Sequence, residues 1–100
     1  MAPSVDLAAL AIDDFTPHLG ATFDLHTADG RIALRLVRAD RAGVSGRRGG
    51  AFSLLFASSQ GPWLPQAIYL VEHEAVGTME LFLVPIGPIK EGNGYQAVFA

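Results

Sequence analysis

Imidazoles and carboxylates are the side chains in this sequence best suited to chemistry, and they meet most closely at Glu72-His73-Glu74. His18 and His26 are the other two histidines. An imidazole beside a carboxylate can ligate a metal or share a proton as a general acid–base pair. In an extended chain, however, neighbouring residues point to opposite faces, so Glu72 and His73 reach one ion only if the chain after His73 bends back. The tripeptide better suits a histidine packed near a sheet end with a local hydrogen bond. Ser53, Ser58 and Ser59 lie in or beside an ordinary strand pattern, without the strained Gly-x-Ser-x-Gly elbow that activates a hydroxyl. The acidic pair Asp13-Asp14 falls at a helix start, where carboxylates help structurally. With no cysteine, there is no thiolate nucleophile, thiolate zinc site or disulfide. The stretch Gly43–Gly50, with Arg47-Arg48, could cradle a phosphate through its amides. It lacks the Gly-Lys-Ser/Thr ending of a nucleotide loop and precedes a strand instead of a helix. The residues therefore assemble no catalytic, metal or cofactor set, and the chain is expected not to be an enzyme.

A chain of 100 residues makes one domain, here residues 1–100, with a modest core. Half of it is apolar and 17% is charged, a balance that supports a packed globule held together without crosslinks. The net charge of −3 is unevenly spread. Residues 1–30 carry acids and no Lys or Arg, whereas Arg31, Arg35, Arg38, Arg41, Arg47 and Arg48 crowd the next segment against Asp40 alone. Such polarity can orient a partner, but a solvated strand face followed by a loop is the favoured account of it over a dedicated anion site. A nucleic-acid site would need aromatics interleaved with the arginines, and here the aromatics fall on core positions. No apolar run has the length of a membrane span, and no basic region opens a secretory signal. The expectation is a cytoplasmic protein, with the proviso that specialised export systems read other addresses.

The elements that position these residues are short. Residues 1–19 read as one or two short helices. Ser4 is a candidate cap, Asp6 lies in the first turn, and Asp13 to Leu19 forms a second segment closed by Gly20. Leu7, Leu10, Ile12, Phe15 and Leu19 are the side chains expected to dock them. Residues 20–100 read as six strands: Thr22 to Thr27, Arg31 to Ala39, Phe52 to Ser58, Ala67 to His73, Thr78 to Ile86 and Tyr95 to Phe99. Asp29-Gly30 is a hairpin turn signal, Asp40 to Gly50 a loop, and Ser59 to Pro65 a turn whose prolines cannot continue a ladder. Pro85 argues for a bulge or an edge, and Gly87-Pro88 with Gly92-Asn93-Gly94 breaks the connection to the last strand. The fold class is mainly β: a small six-stranded antiparallel barrel or curved sheet with the helices over one face or end.

One hairpin in that pattern is apolar on both sides. Tyr69, Val71, Met79, Leu81 and Leu83 share one face, while Ile68, Leu70, Phe82 and Val84 share the other. The first set can fill the core. The second must be covered by the N-terminal segment or by a partner, because a contiguous apolar patch in water marks an interaction site or an aggregation hazard. Trp63, between Pro62 and Leu64-Pro65, fits either a binding hot spot or a lid over a barrel end.

Taken together, Ile12-Asp13-Asp14-Phe15 with Leu19-Gly20, Phe52-Ser53-Leu54-Leu55-Phe56, Leu64-Pro65-Gln66, Tyr69-Leu70-Val71-Glu72-His73, Glu80 to Pro88 and Tyr95-Gln96-Ala97-Val98-Phe99 resemble a family of small bacterial proteins of unknown function, DUF6916-like. The resemblance spans nearly the whole chain and rests on strand core, turns and the closing strand. It implies no catalytic residue. It does imply an association with loci encoding phage-tail-collar-like fibre proteins, and so an accessory of a bacterial surface or fibre assembly. Ala67, Ile68 and Leu70 make this chain's outer face more apolar than the resemblance implies. The expected function is a structural or protein-interaction module. It would bind another protein or itself through Ile68, Leu70, Phe82 and Val84, with Trp63 beside them and no cofactor. The alternatives are a small-ligand carrier using a barrel interior, and a hydrolase or isomerase built on His73 and Glu72. The first would need room that Leu54, Phe56, Tyr69, Leu81 and Phe99 leave scarce once they point inward.

Overall fold

The computed structural model describes residues 5–42, 50–59 and 63–99. Six strands, β1 (Thr22–Thr27), β2 (Gly30–Arg41), β3 (Phe52–Ser58), β4 (Ala67–His73), β5 (Gly77–Ile89) and β6 (Gly92–Phe99), form a closed barrel in the order β1-β2-β3-β6-β5-β4. Two three-stranded meanders, β1-β2-β3 and β4-β5-β6, thus lie side by side, and every neighbouring pair is antiparallel. The expected barrel is present. Closure satisfies strand edges that an open sheet this apolar would expose.

The alternation read from the sequence sets which residues fill the interior. Phe23, Leu25, Leu34, Leu36, Leu54, Phe56, Val71, Met79, Leu81, Leu83, Tyr95 and Ala97 are all buried. Leu36, Phe56, Tyr95 and Pro85 stand opposite one another in turn, a continuous row across four strands. Removing each large apolar side chain from water contributes roughly 1.5–3 kcal/mol, and this interior carries the fold without crosslinks.

Two bulges adjust the alternation. Continuing the inward phase of Ile32, Leu34 and Leu36 would turn Arg38 into the core, where an unpaired charge is costly. A register shift between Leu36 and Arg38 prevents this, and Arg38 stays outside, paired with Asp40. A second shift lies between Pro85 and Gly87, at the bulge that Pro85 foretold. The bulge lets β5 and β6 run on to Ile89 and Gly92. Gly87-Pro88 and Gly92-Asn93-Gly94 are therefore ladder residues and not the break expected of them. Gly87 and Gly92 make this feasible with φ of +108° and +134°, and a Cβ at Gly92 would collide with the Ser58 carbonyl oxygen.

The N-terminal helices are realised as three single 3-10 turns, Leu7–Ala9, Ile12–Asp14 and Thr16–His18. Ser4 lies outside the described residues, and the Asp6 carboxylate caps the first turn by accepting from the Ala8 N–H at 3.0 Å. The Asp14 carboxylate accepts from the Ala11 N–H at 2.8 Å. These turns plug the barrel end where β6 finishes. Phe15 is fully buried, with its ring centroid 5.8 Å from Phe52 and 5.7 Å from Phe99, which stack on each other at 4.4 Å. Leu10 and Ile12 are buried beside them and Leu7 partly so, but Leu19 is exposed, because Gly20 (φ +85°) has already turned the chain toward β1. Phe15→Ala should cost about 3–5 kcal/mol, which lowers Tm by more than about 12 °C in a domain of this size. Thermal unfolding followed by circular dichroism measures it.

Candidate functional site

The strand register turns Ile68, Leu70, Phe82 and Val84 outward together. Ile68 stands directly opposite Phe82, and Leu70 opposite Glu80, on the outer face of the β4–β5 hairpin. Ile68 is 67% exposed, Phe82 50% and Leu70 40%, while Val84 is half-buried. The inward set fills the core as expected, save that Tyr69 is only partly buried and donates its hydroxyl to the Pro65 carbonyl at 2.6 Å. The N-terminal turns do not cover this face, since they are spent on the barrel end. Val98 on β6 adds a further exposed apolar residue that the sequence reading left out. Its signal was present: with Tyr95, Ala97 and Phe99 inward, alternation throws Gln96 and Val98 outward.

Trp63 lies against Tyr95, an inward residue of β6. Its ring lies 5.5 Å from that of Tyr95, and 42% of the residue remains exposed. The buried Tyr95 hydroxyl accepts from the Leu64 N–H at 2.9 Å and ties this segment to β6. Trp63 therefore covers an inward residue on one side and meets solvent on the other.

The histidines and carboxylates are distributed as structural groups. His73 lies at the plugged end with its ring 4.5 Å from those of His18 and Phe23, and its Nδ1 accepts from the Ala75 N–H at 3.0 Å. This is the local hydrogen bond expected of it. Glu72 points the other way and meets His26 Nε2 at 3.1 Å and Arg31 at 3.5 Å, with Asp24 at 3.8 Å from Arg31. An open cleft of about 350 Å³ lies here, lined by Thr22, Asp24, Arg31, Glu72, His73 and Glu74. Arg31 neutralises the carboxylates around it. Both acids are open to solvent beside it. Among the described residues no group of three His, Asp or Glu side chains could hold a metal ion. Two further arginines of β2 are paired, Arg38 with Asp40 at 2.6 Å and Arg41 with Asp13 at 3.9 Å. Most of the glycine-rich stretch considered for phosphate, residues 43–49, lies outside the described residues.

Residues 10–99 match the family described as Domain of unknown function (DUF6916). The chain belongs to that family. No curated protein and no solved structure matches it. The DUF6916 match covers every strand of the barrel together with the last two 3-10 turns. No helix among the described residues is long and apolar enough to cross a membrane.

Tyr95→Phe removes the acceptor of the Leu64 N–H and should cost about 1 kcal/mol. Trp63 should then loosen from the ring beneath it, seen as a red shift and easier quenching of its fluorescence.

Proposed function

We propose that this DUF6916 protein is a non-enzymatic interaction module. It docks another protein, or a second copy of itself, through the outer face of Ile68, Leu70, Phe82 and Val84, extended by Val98. The observation that carries this reading is the Ile68–Phe82 cross-strand pair, in which both side chains are at least half exposed although the barrel interior beneath is fully packed. Exposed apolar residues scattered singly are ordinary, but these share one face. A face of this kind suits the apolar centre of an interface burying about 800 Å² per partner. Trp63, half uncovered at the barrel end, is a second anchor candidate of the residue type that favours hot spots. An accessory role in a bacterial surface or phage-tail-like fibre assembly is the finer form of this proposal.

Two observations weigh against the alternatives. The interior positions that a ligand carrier would need are taken by Leu34, Leu36, Leu54, Phe56, Leu81 and Tyr95. His73 and Glu72, the pair a small hydrolase or isomerase would need, are each engaged with a separate partner, Ala75 N–H and His26.

Phe82→Glu tests the interface. A change at an exposed site should alter stability by less than about 0.5 kcal/mol, while solution mass by light scattering falls to that of the single chain or capture of a co-expressed partner is lost. A folded variant with mass and capture both unchanged removes this face from consideration. Turnover of an activated ester that His73→Ala abolishes would instead return the protein to the enzymes.

A further inference from the structure

The outer wall of the barrel is charged on one side and nearly uncharged on the other. On their outer face β1 and β2 present Asp24, His26, Arg31, Arg35, Arg38 and Asp40. Most of these are settled within the chain, by Asp24 and Glu72 beside Arg31, His26 on Glu72, and Arg38 on Asp40. Beyond Glu72 the wall changes character. Around Phe82 the outward side chains of β4, β5 and β6 are Ile68, Leu70, Val84, Gln96 and Val98, with Glu80 the one charge among them. On β3, Ser53 and Leu55 stand opposite Val98 and Gln96 and carry the uncharged wall across a fourth strand.

This distribution of charge selects what covers the face. A foreign partner is steered and discriminated largely by complementary charge, and this wall has almost none to offer. A two-fold contact between identical chains sets the same patch against itself, so every charge in it appears twice and meets its own sign nearby. A wall with one carboxylate meets that condition, whereas the β2 wall, with Arg31, Arg35 and Arg38 along one strand, does not. Interfaces between identical subunits are also the more apolar class. The centre of the contact is Phe82, which has Ile68 across from it on β4, and continuing the Val84–Gln96 register places Val98 on its other side. Glu80 stands opposite Leu70, toward the β4–β5 turn and away from that centre.

We propose that this wall pairs with a second copy of the chain about a two-fold axis beside Phe82, the two sheets packing face to face about 10 Å apart. Phe82 of one protomer meets Phe82 of the other, with Ile68 and Val98 packed around them, and the Glu80 carboxylates stay at the margin in water. This rests on the reading of the outer face as a docking surface and selects the occupant.

Sedimentation equilibrium of the purified chain between about 1 and 100 μM should show the mass rising to twice the 10.6 kDa of one chain. A single chain throughout overturns self-pairing and leaves the face to a different protein, on which the capture experiment with Phe82→Glu reports separately. A contact without charge should also be indifferent to salt, its Kd moving by less than about threefold between about 50 and 500 mM NaCl. A weakening of about tenfold or more would put the contact on the charged β1–β2 wall and overturn the assignment. Phe82→Glu and Phe82→Arg should each be monomeric, because the two-fold axis doubles the added charge. Mixed in equal amounts, they should associate at least about tenfold more tightly than either does alone. Equal affinity of the mixture and the separate variants overturns the axis at Phe82. Circular dichroism checks that both variants are folded, and if either is not, Val98→Glu and Val98→Arg, at a residue 60% exposed, make the same comparison.

Discussion

Closure of the barrel depends on a short seam, where β1 meets β4 through only Asp24↔Glu72, Leu25↔Val71 and His26↔Leu70. Every other junction is a longer ladder. If this seam parted, the inward faces of two meanders would meet water at once, because Leu25 and Val71 are both fully buried at its centre. On the outer side the seam is fastened by His26, Glu72, Arg31 and Asp24, which link β4, β1 and β2. Exposed ion pairs of this kind are individually weak. Their position across the shortest ladder gives them a registering role, and it explains why the residues that most resemble an acid–base set are already engaged with one another.

The small interior imposes the second condition, that the ends be stopped. The aromatic trio Phe15, Phe52 and Phe99 fills one end, and the segment of Trp63 and Leu64, held by the Tyr95 hydroxyl, lies against the interior. With the interior packed and the N-terminal turns committed to an end, nothing among the described residues is left to shelter the β4–β5 face. The apolar excess read from the sequence is thus placed on the outer surface by elimination, each inward position having an occupant.

Much of this was legible from alternation alone. The bounds of β1, β3 and β4 follow their apolar and turn residues, and the inward and outward sets of the β4–β5 hairpin separate as period two requires. What escaped had specific causes. Gly87-Pro88 and Gly92-Asn93-Gly94 look like breakers, yet a bulge and positive-φ glycines carry the ladder through them. The bulge after Leu36 could have been inferred, since Arg38 otherwise falls in the core phase. The N-terminal segment carried caps and an apolar stripe but too few residues to sustain α-helices, and it settled into 3-10 turns. Where those turns dock is a tertiary fact that no local pattern encodes, and with it went the fate of Leu19 and of the exposed hairpin face. The ending of the β5–β6 ladder at Val84 was likewise invisible, because both strands continue past it in sequence.

Both ends of the described chain emerge near one pole. Val5 is fixed to Thr78 at the beginning of β5, and Phe99 at the finish of β6 touches Phe15 of the plug. The hairpin tip between Ile89 and Gly92 lies at the opposite pole. The flank bearing Ile68 and Phe82 belongs to the barrel wall between those two poles.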